Sequence, residues 1–188
     1  AEDAFDLVIP ALPGFGFGGA PRDRGWGISR IAAAFDTLMT RELGYPRYGV
    51  QGGDWGGIIS AKMASAYGDH VAGVHLNFVV APPPAQPAEA DRAAIAARDA
   101  FQAAETGYSN VQSTKPDSLT VAQADSPAGL AAWVVEKFHA WSDHPGNVEA
   151  TFPKDVLLTN LMFYWAPNSV ASAARIYYEA RRDPGAFM

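Results

Sequence analysis

The chain has 188 residues, 14 Lys+Arg against 20 Asp+Glu, a net charge of −6, 48% hydrophobic residues and no cysteine. This length and composition support a compact globular domain and exclude a disulfide framework and a thiolate metal site. The acidic balance, with Arg181-Arg182 as the one notable basic pair, argues against a nucleic-acid partner. No apolar run is long enough to span a bilayer, and no basic-then-apolar secretory signal opens the chain, so the expectation is a cytoplasmic protein without a membrane segment.

Phe5-Asp6-Leu7-Val8-Ile9 predicts a first buried strand, and its position predicts a chain that begins partway through a fold. A Gly/Pro-rich loop, Pro10 to Gly27, leads to a helix from about Ser29 to Leu43, where Ile31, Ala34, Phe35, Leu38 and Met39 recur at helical spacing and Gly44 ends the pattern. Tyr48 to Gln51 predicts a second strand, Gly52 to Gly57 a turn, Ile58 to Tyr67 a helix, and Val71 to Val80 a third strand whose near-continuous apolar character suits a sheet covered on both faces. Strands alternating with helices in this way predict βαβ units and a parallel sheet.

Ala81-Pro82-Pro83-Pro84-Ala85-Gln86-Pro87 is a stiff boundary, because each proline fixes its own φ and biases its predecessor away from helix. Beyond it the pattern is all-helical: Ala88 to Glu105, Ser118 to Ala124, Ser126 to Trp141, Lys154 to Trp165 and Ser169 to Arg182. Ser126-Pro127 is a helix-start signal, with serine as cap and proline in the first turn.

Two glycine-rich loops invite a functional reading. Gly14, Gly16 and Gly19 have the G-x-G-x-x-G spacing of a dinucleotide site, but the polar stretch Ala20 to Gly25 follows where a helix should open, so a structural or pocket-lining loop is expected. Gly52-Gly53-Asp54-Trp55-Gly56 has the form of a nucleophile elbow, a tight strand-to-helix turn that needs very small residues around the nucleophile. Here the nucleophile position holds aspartate. A carboxylate is already ionised at neutral pH and suits attack at a saturated carbon bearing a strained or good leaving group, giving an alkyl ester. The backbone N–H of Trp55 would then serve the oxyanion when water opens that ester. Read from the turn alone, Asp54 is equally a helix cap.

Phe5 to Phe17 and Tyr48 to Gly56 together resemble the α/β-hydrolase-fold epoxide hydrolases of the microsomal-like branch. The resemblance continues through His75-Leu76-Asn77, Gln112 to Asp117, Asp125 to Trp133 with Glu136-Lys137-Phe138, and Asn160 to Trp165, and so covers almost the whole chain. It implies a partial α/β-hydrolase core of parallel strands with flanking helices over residues 1–82, and an all-helical lid over residues 83–188. It also implies a small hydrophobic epoxide and water as reactants, with no cofactor and no metal, and leaves homodimerisation open.

By position, Asp54 matches the nucleophile that attacks an epoxide carbon. Tyr108 and Tyr177 match the two lid tyrosines that hydrogen-bond the epoxide oxygen, with Tyr178 as the register alternative to Tyr177. Phenols suit that role, because an unperturbed pKa of about 10 leaves them protonated and able to donate at neutral pH. Trp55, Trp133, Phe138, Phe163 and Trp165 are either pocket-lining or ordinary core aromatics.

Release of the ester needs a histidine and an acid placed after the nucleophile in chain order. None of the four histidines fits: His70 lies between helix and strand, His75 within a strand, His139 on a lid helix, and His144 beside Asp143 in a turn. The chain therefore reads as the middle of a larger hydrolase, able to be alkylated and unable to complete turnover. The competing readings are a haloalkane dehalogenase-like hydrolase and a non-catalytic fragment that binds an apolar ligand.

Overall fold

The computed structural model describes residues 4–186. The chain forms two compact units. One comprises Gly25–Pro116 with the segment from Tyr177 onward, the other the segment up to Arg24 with Asp117–Ile176.

The first unit opens with α1 (Ile28–Thr37), which passes into a π-helical turn, Leu38–Glu42, where the Leu43 N–H reaches back to the Leu38 carbonyl at 2.9 Å. Gly44, at φ +75°, then reverses the chain as only glycine does cheaply. β1 (Tyr48–Gly52), α2 (Asp54–Ala66) and β2 (Val71–Leu76) form a βαβ unit, with the strands parallel and Gly49 opposite Gly73, Val50 opposite Val74 and Gln51 opposite His75. Parallel pairing requires the crossover that α2 supplies, and α1 packs against α2. Its buried apolar residues include Ile28, Ile31 and Ala32 of α1, Tyr48, and Ile59 and Met63 of α2. Two helices follow in this unit, α3 (Glu89–Glu105) and α4 (Gly107–Thr114). Asp91 starts α3 by accepting a 3.0 Å hydrogen bond from the Ala88 N–H.

The second unit contains α5 (Pro116–Asp125), α6 (Pro127–Trp141), a 3₁₀ turn at Val148–Ala150, α7 (Lys154–Trp165) and most of α8 (Val170–Ala180). Ser126 caps α6 by accepting from the Gly129 N–H at 3.0 Å, with Pro127 in the first turn as expected. Leu130, Leu161 and Val170 are its buried centre, packed by Ala124, Val134, Val135, Tyr164 and Trp165.

Three sequence expectations change. Phe5 to Ile9 is not a strand: Phe5, Leu7 and Ile9 are 90%, 79% and 81% exposed. A hydrophobic run becomes a strand only through a ladder, and among the described residues β1 and β2 pair only with each other. The third strand ends at Leu76 rather than Val80 and is largely exposed, because an edge of a two-stranded sheet has neither the partner nor the cover that its apolar pattern anticipates. The helix after β1 starts at Asp54, inside the predicted turn. A further helix, α4, carries Tyr108 where the sequence shows no strong apolar period to announce it.

Gly14, Gly16 and Gly19 all adopt positive φ. The Gly14 N–H bonds the Gly19 carbonyl at 2.8 Å, closing a loop that opens no helix. Gly14 is packed within its own unit: its carbonyl accepts from Ser172 Oγ at 2.7 Å, and a Cβ there would come within 2.8 Å of the Ser172 carbonyl oxygen. These glycines serve chain reversal and close packing.

Candidate active site

The turn between β1 and α2 is built by contacts that tolerate no Cβ. A Cβ on Gly52 would collide with the Gly56 backbone, one on Gly53 with the Asn77 side chain, and one on Gly57 would lie 2.8 Å from the Phe78 carbonyl. Gly56 itself faces open space; its backbone is what Gly52 packs against. Between these glycines Asp54 is held at φ +47°, a left-handed conformation that costs a non-glycine residue about 1–2 kcal/mol.

That geometry separates the two readings of Asp54. A helix cap has extended backbone and accepts from an N–H two or three residues ahead, which needs no strain. The N-cap here is Gly53, in extended conformation, and the Asp54 carboxylate instead accepts from the adjoining Trp55 N–H, with Oδ1 at 2.5 Å. One carboxylate oxygen is thus fixed at the head of α2, whose N-terminus favours negative charge. The side chain stays exposed.

Around this carboxylate the same unit gathers three aromatic residues. The Tyr177 ring meets the Trp55 indole edge to face, with centroids 4.8 Å apart and planes at 86°, and meets the Tyr108 ring at 5.7 Å and 82°. Burial holds the Tyr177 phenol above the ordinary tyrosine range. The adjacent Tyr108 and the Asp54 carboxylate add to the shift, as does a hydrogen bond with Tyr108. The buried Trp55 indole N–H lies beside the phenol without the alignment of a hydrogen bond and pulls weakly the other way. Tyr177 therefore stays a neutral donor far above neutral pH.

Tyr178 has a different environment, with its ring under the Arg182 guanidinium, 3.4 Å from the ring centroid. Asp54, Trp55, Tyr108 and Tyr177 are the sequence candidates that the fold brings together. Among the other aromatics, Phe163 meets Phe17 edge to face at 5.9 Å, Phe138 meets Phe152 likewise at 5.0 Å, and Trp165 packs on the Leu130 cluster, all within the second unit.

Three histidines have other partners. The Nδ1 of His70 is 2.8 Å from Asp36 Oδ1, the oxygen that also accepts from the Tyr48 hydroxyl at 2.6 Å. The rings of His139 and His144 lie 4.5 Å apart, and His144 Nε2 contacts the His139 carbonyl at 3.0 Å. His75 stands on β2 opposite Gln51.

Several residues that shape the site carry no sequence signal of their own. Asn77 closes over Gly53, and Glu179 and Asp183 reach the start of α1: the Gly25 N–H donates to Glu179 Oε2 at 3.0 Å and the Ser29 N–H to Asp183 Oδ2 at 2.7 Å. Contacts across 154 positions cannot be read from local pattern.

The chain spans 41–43% of the length of two curated relatives that it matches. A Stigmatella aurantiaca protein provisionally named an epoxide hydrolase is 42% identical over 95% of this chain and 41% of its own. The juvenile hormone epoxide hydrolase of Bombyx mori is 36% identical over 94% of this chain and 43% of its own. The crystal structure of the silkworm enzyme superposes with a TM-score of 0.75 at 35% identity, covering 90% of this chain and 40% of that one. Aspergillus niger epoxide hydrolase gives 0.76 at 30% identity, covering 92% and 45%. The family model described as alpha/beta hydrolase fold matches residues 1–156, and with the βαβ unit and its strained turn in place, the chain belongs to the α/β hydrolase fold family.

Proposed function

We propose that this chain carries the nucleophilic half of an epoxide hydrolase site, with residues 1–82 as its share of the core and residues 83–188 as a helical lid. The observation that carries the proposal is a carboxylate in left-handed conformation at the head of α2, with two phenols gathered in the same unit. The domain division is supported by β1 and β2, the two strands among the described residues, lying before Asn77 and by the regular structure described from Glu89 onward being helical.

In this reading Asp54 attacks an epoxide carbon through the oxygen not held by the Trp55 N–H. The ring C–O bond breaks as the ester C–O bond forms, and the departing oxygen takes a proton from Tyr177 or Tyr108, which solvent later restores. The held oxygen becomes the ester carbonyl, already facing the donor that would stabilise its oxyanion when water adds. The phenols act at the transition state, because a neutral donor stabilises a developing alkoxide more than the intact ether oxygen. The three rings of Trp55, Tyr108 and Tyr177 suit a hydrophobic epoxide as reactant. A cytoplasmic location belongs to this proposal and is tested by cell fractionation; the homodimer that the resemblance leaves open is tested by light scattering.

The deciding experiment incubates the chain with styrene oxide and measures intact mass. An adduct equal to one epoxide, mapped to Asp54 and absent in Asp54→Asn, is expected. No adduct on the wild-type chain, with unchanged binding in Asp54→Asn, would instead favour a non-catalytic apolar-ligand site, and an adduct formed only with a chloroalkane would favour the dehalogenase reading.

A further inference from the structure

The end of α8 is fastened to the start of α1 by two carboxylates. α1 has no cap of its own, since Gly27 stands at its N-cap position. Asp183 supplies one from the other end of the chain: Oδ2 accepts from the Ser29 N–H at 2.7 Å, while Oδ1 accepts from Ser29 Oγ and from the Gly185 N–H, each at 2.9 Å. The fit is close, for a Cβ on Gly27 would meet the Asp183 side chain at 2.8 Å. Burial alone would raise the Asp183 carboxyl; the bonds from Ser29 and Gly185, with Lys62 nearby, outweigh it and hold the group below its ordinary value. Glu179 adds a 3.0 Å bond from the Gly25 N–H, and on another side Arg182 donates to the Ser113 carbonyl of α4 at 3.2 Å.

These bonds are made by the residues that follow Tyr177 in the chain. The residue lies on the last turn of α8, just before Glu179 and Asp183, and its ring must meet Trp55 at the head of α2 and Tyr108 on α4. α1 packs against α2, so a fixed join between α8 and α1 sets the height of Tyr177 over Asp54, and the Arg182 bond sets its distance from α4. A phenol displaced by even an ångström would lose much of its hold on the developing alkoxide.

We propose that Asp183, seconded by Glu179, is the positioning residue for Tyr177, acting through the capped start of α1. The proposal rests on the role given above to Tyr177, and its test is built to fail separately from that role. In Asp183→Ala and in the milder Asp183→Asn, the rate of Asp54 alkylation by styrene oxide at saturation should fall about tenfold and about threefold, respectively, with the half-saturating concentration changed less than about twofold.

The readout that a merely structural role would not move is tyrosinate absorbance at about 295 nm. Comparison with Tyr177→Phe in each background isolates this phenol, which in the wild type should ionise well above the ordinary tyrosine range and in Asp183→Ala should ionise at a clearly lower pH. A lowered melting temperature with unchanged Tyr177 titration and unchanged saturating rate would overturn the proposal. If the wild-type chain forms no ester, the functional reading fails while the titration still decides the positioning role.

Discussion

The Tyr177 ring stands edge-on to the indole of Trp55 at 4.8 Å, and Trp55 is the residue whose backbone N–H holds the Asp54 carboxylate at 2.5 Å. The end of α8 and the elbow are thus linked through one residue that contacts the first with its ring and the second with its backbone. The same helix end presents Tyr178 to Arg182. The two adjoining tyrosines, indistinguishable by local sequence, have separate environments.

That separation predicts a clean contrast. In the proposed mechanism Tyr177→Phe removes a donor from the developing alkoxide, and it should slow Asp54 alkylation by styrene oxide about a hundredfold, the scale expected for losing one oxyanion-type donor. Tyr178→Phe keeps the ring under Arg182 and should change the rate less than about threefold. Single-turnover mass spectrometry on both variants checks this, and equal losses would mean that the register of α8 is misassigned.

The elbow glycines should also divide. Gly52→Ala drives a Cβ into the Gly56 backbone and should lower stability by more than about 2 kcal/mol, as overpacking against an immovable backbone does. Gly56→Ala meets open space in the first turn of α2 and should be neutral or stabilising by up to about 1 kcal/mol, because alanine is the better helix former. Urea denaturation of the two variants measures both signs.

Tyr48 gives a pH prediction. Burial, followed by the hydrogen bond to Asp36, holds its phenol above the ordinary value of 10.0. A group whose folded value is raised contributes stability that is complete below its unfolded value and lost as pH climbs toward the folded one, here from about pH 10 upward. Tyr48→Phe should cost about 1.5–3 kcal/mol at about pH 7, since buried Asp36 loses a donor, and this deficit should shrink as pH rises from about 9 to about 11. Chemical denaturation across that range checks it; a deficit that grows with pH would contradict the assignment.

Much of this protein is written locally. The helical periods of Ser29 to Leu43 and Lys154 to Trp165, the Ser126-Pro127 start, and the Gly-Gly-Asp-Trp-Gly turn all state their structure within a few residues, because hydrogen bonding and φ preference act over one or two turns. The same short range explains the misreadings. Phe5 to Ile9 and the far half of Val71 to Val80 have strand-like composition, yet a strand is a relation between two segments, and the described sheet stops at β1 and β2. α4 is silent in the sequence because its residues lack an apolar period, though it presents Tyr108 to Tyr177.

The sequence by itself determined an aspartate in an elbow, a parallel βαβ unit and a helical remainder, since each depends on neighbours along the chain. Only the tertiary structure decided that Asp54 is strained rather than capping, that Tyr177 and not Tyr178 faces Trp55, and that Asp183 caps the first turn of α1 at Ser29, 154 residues before it. Those outcomes depend on which backbones meet in space. The encounters are fixed by steric exclusion at Gly52 and Gly53 and by the need of the Ser29 N–H for an acceptor.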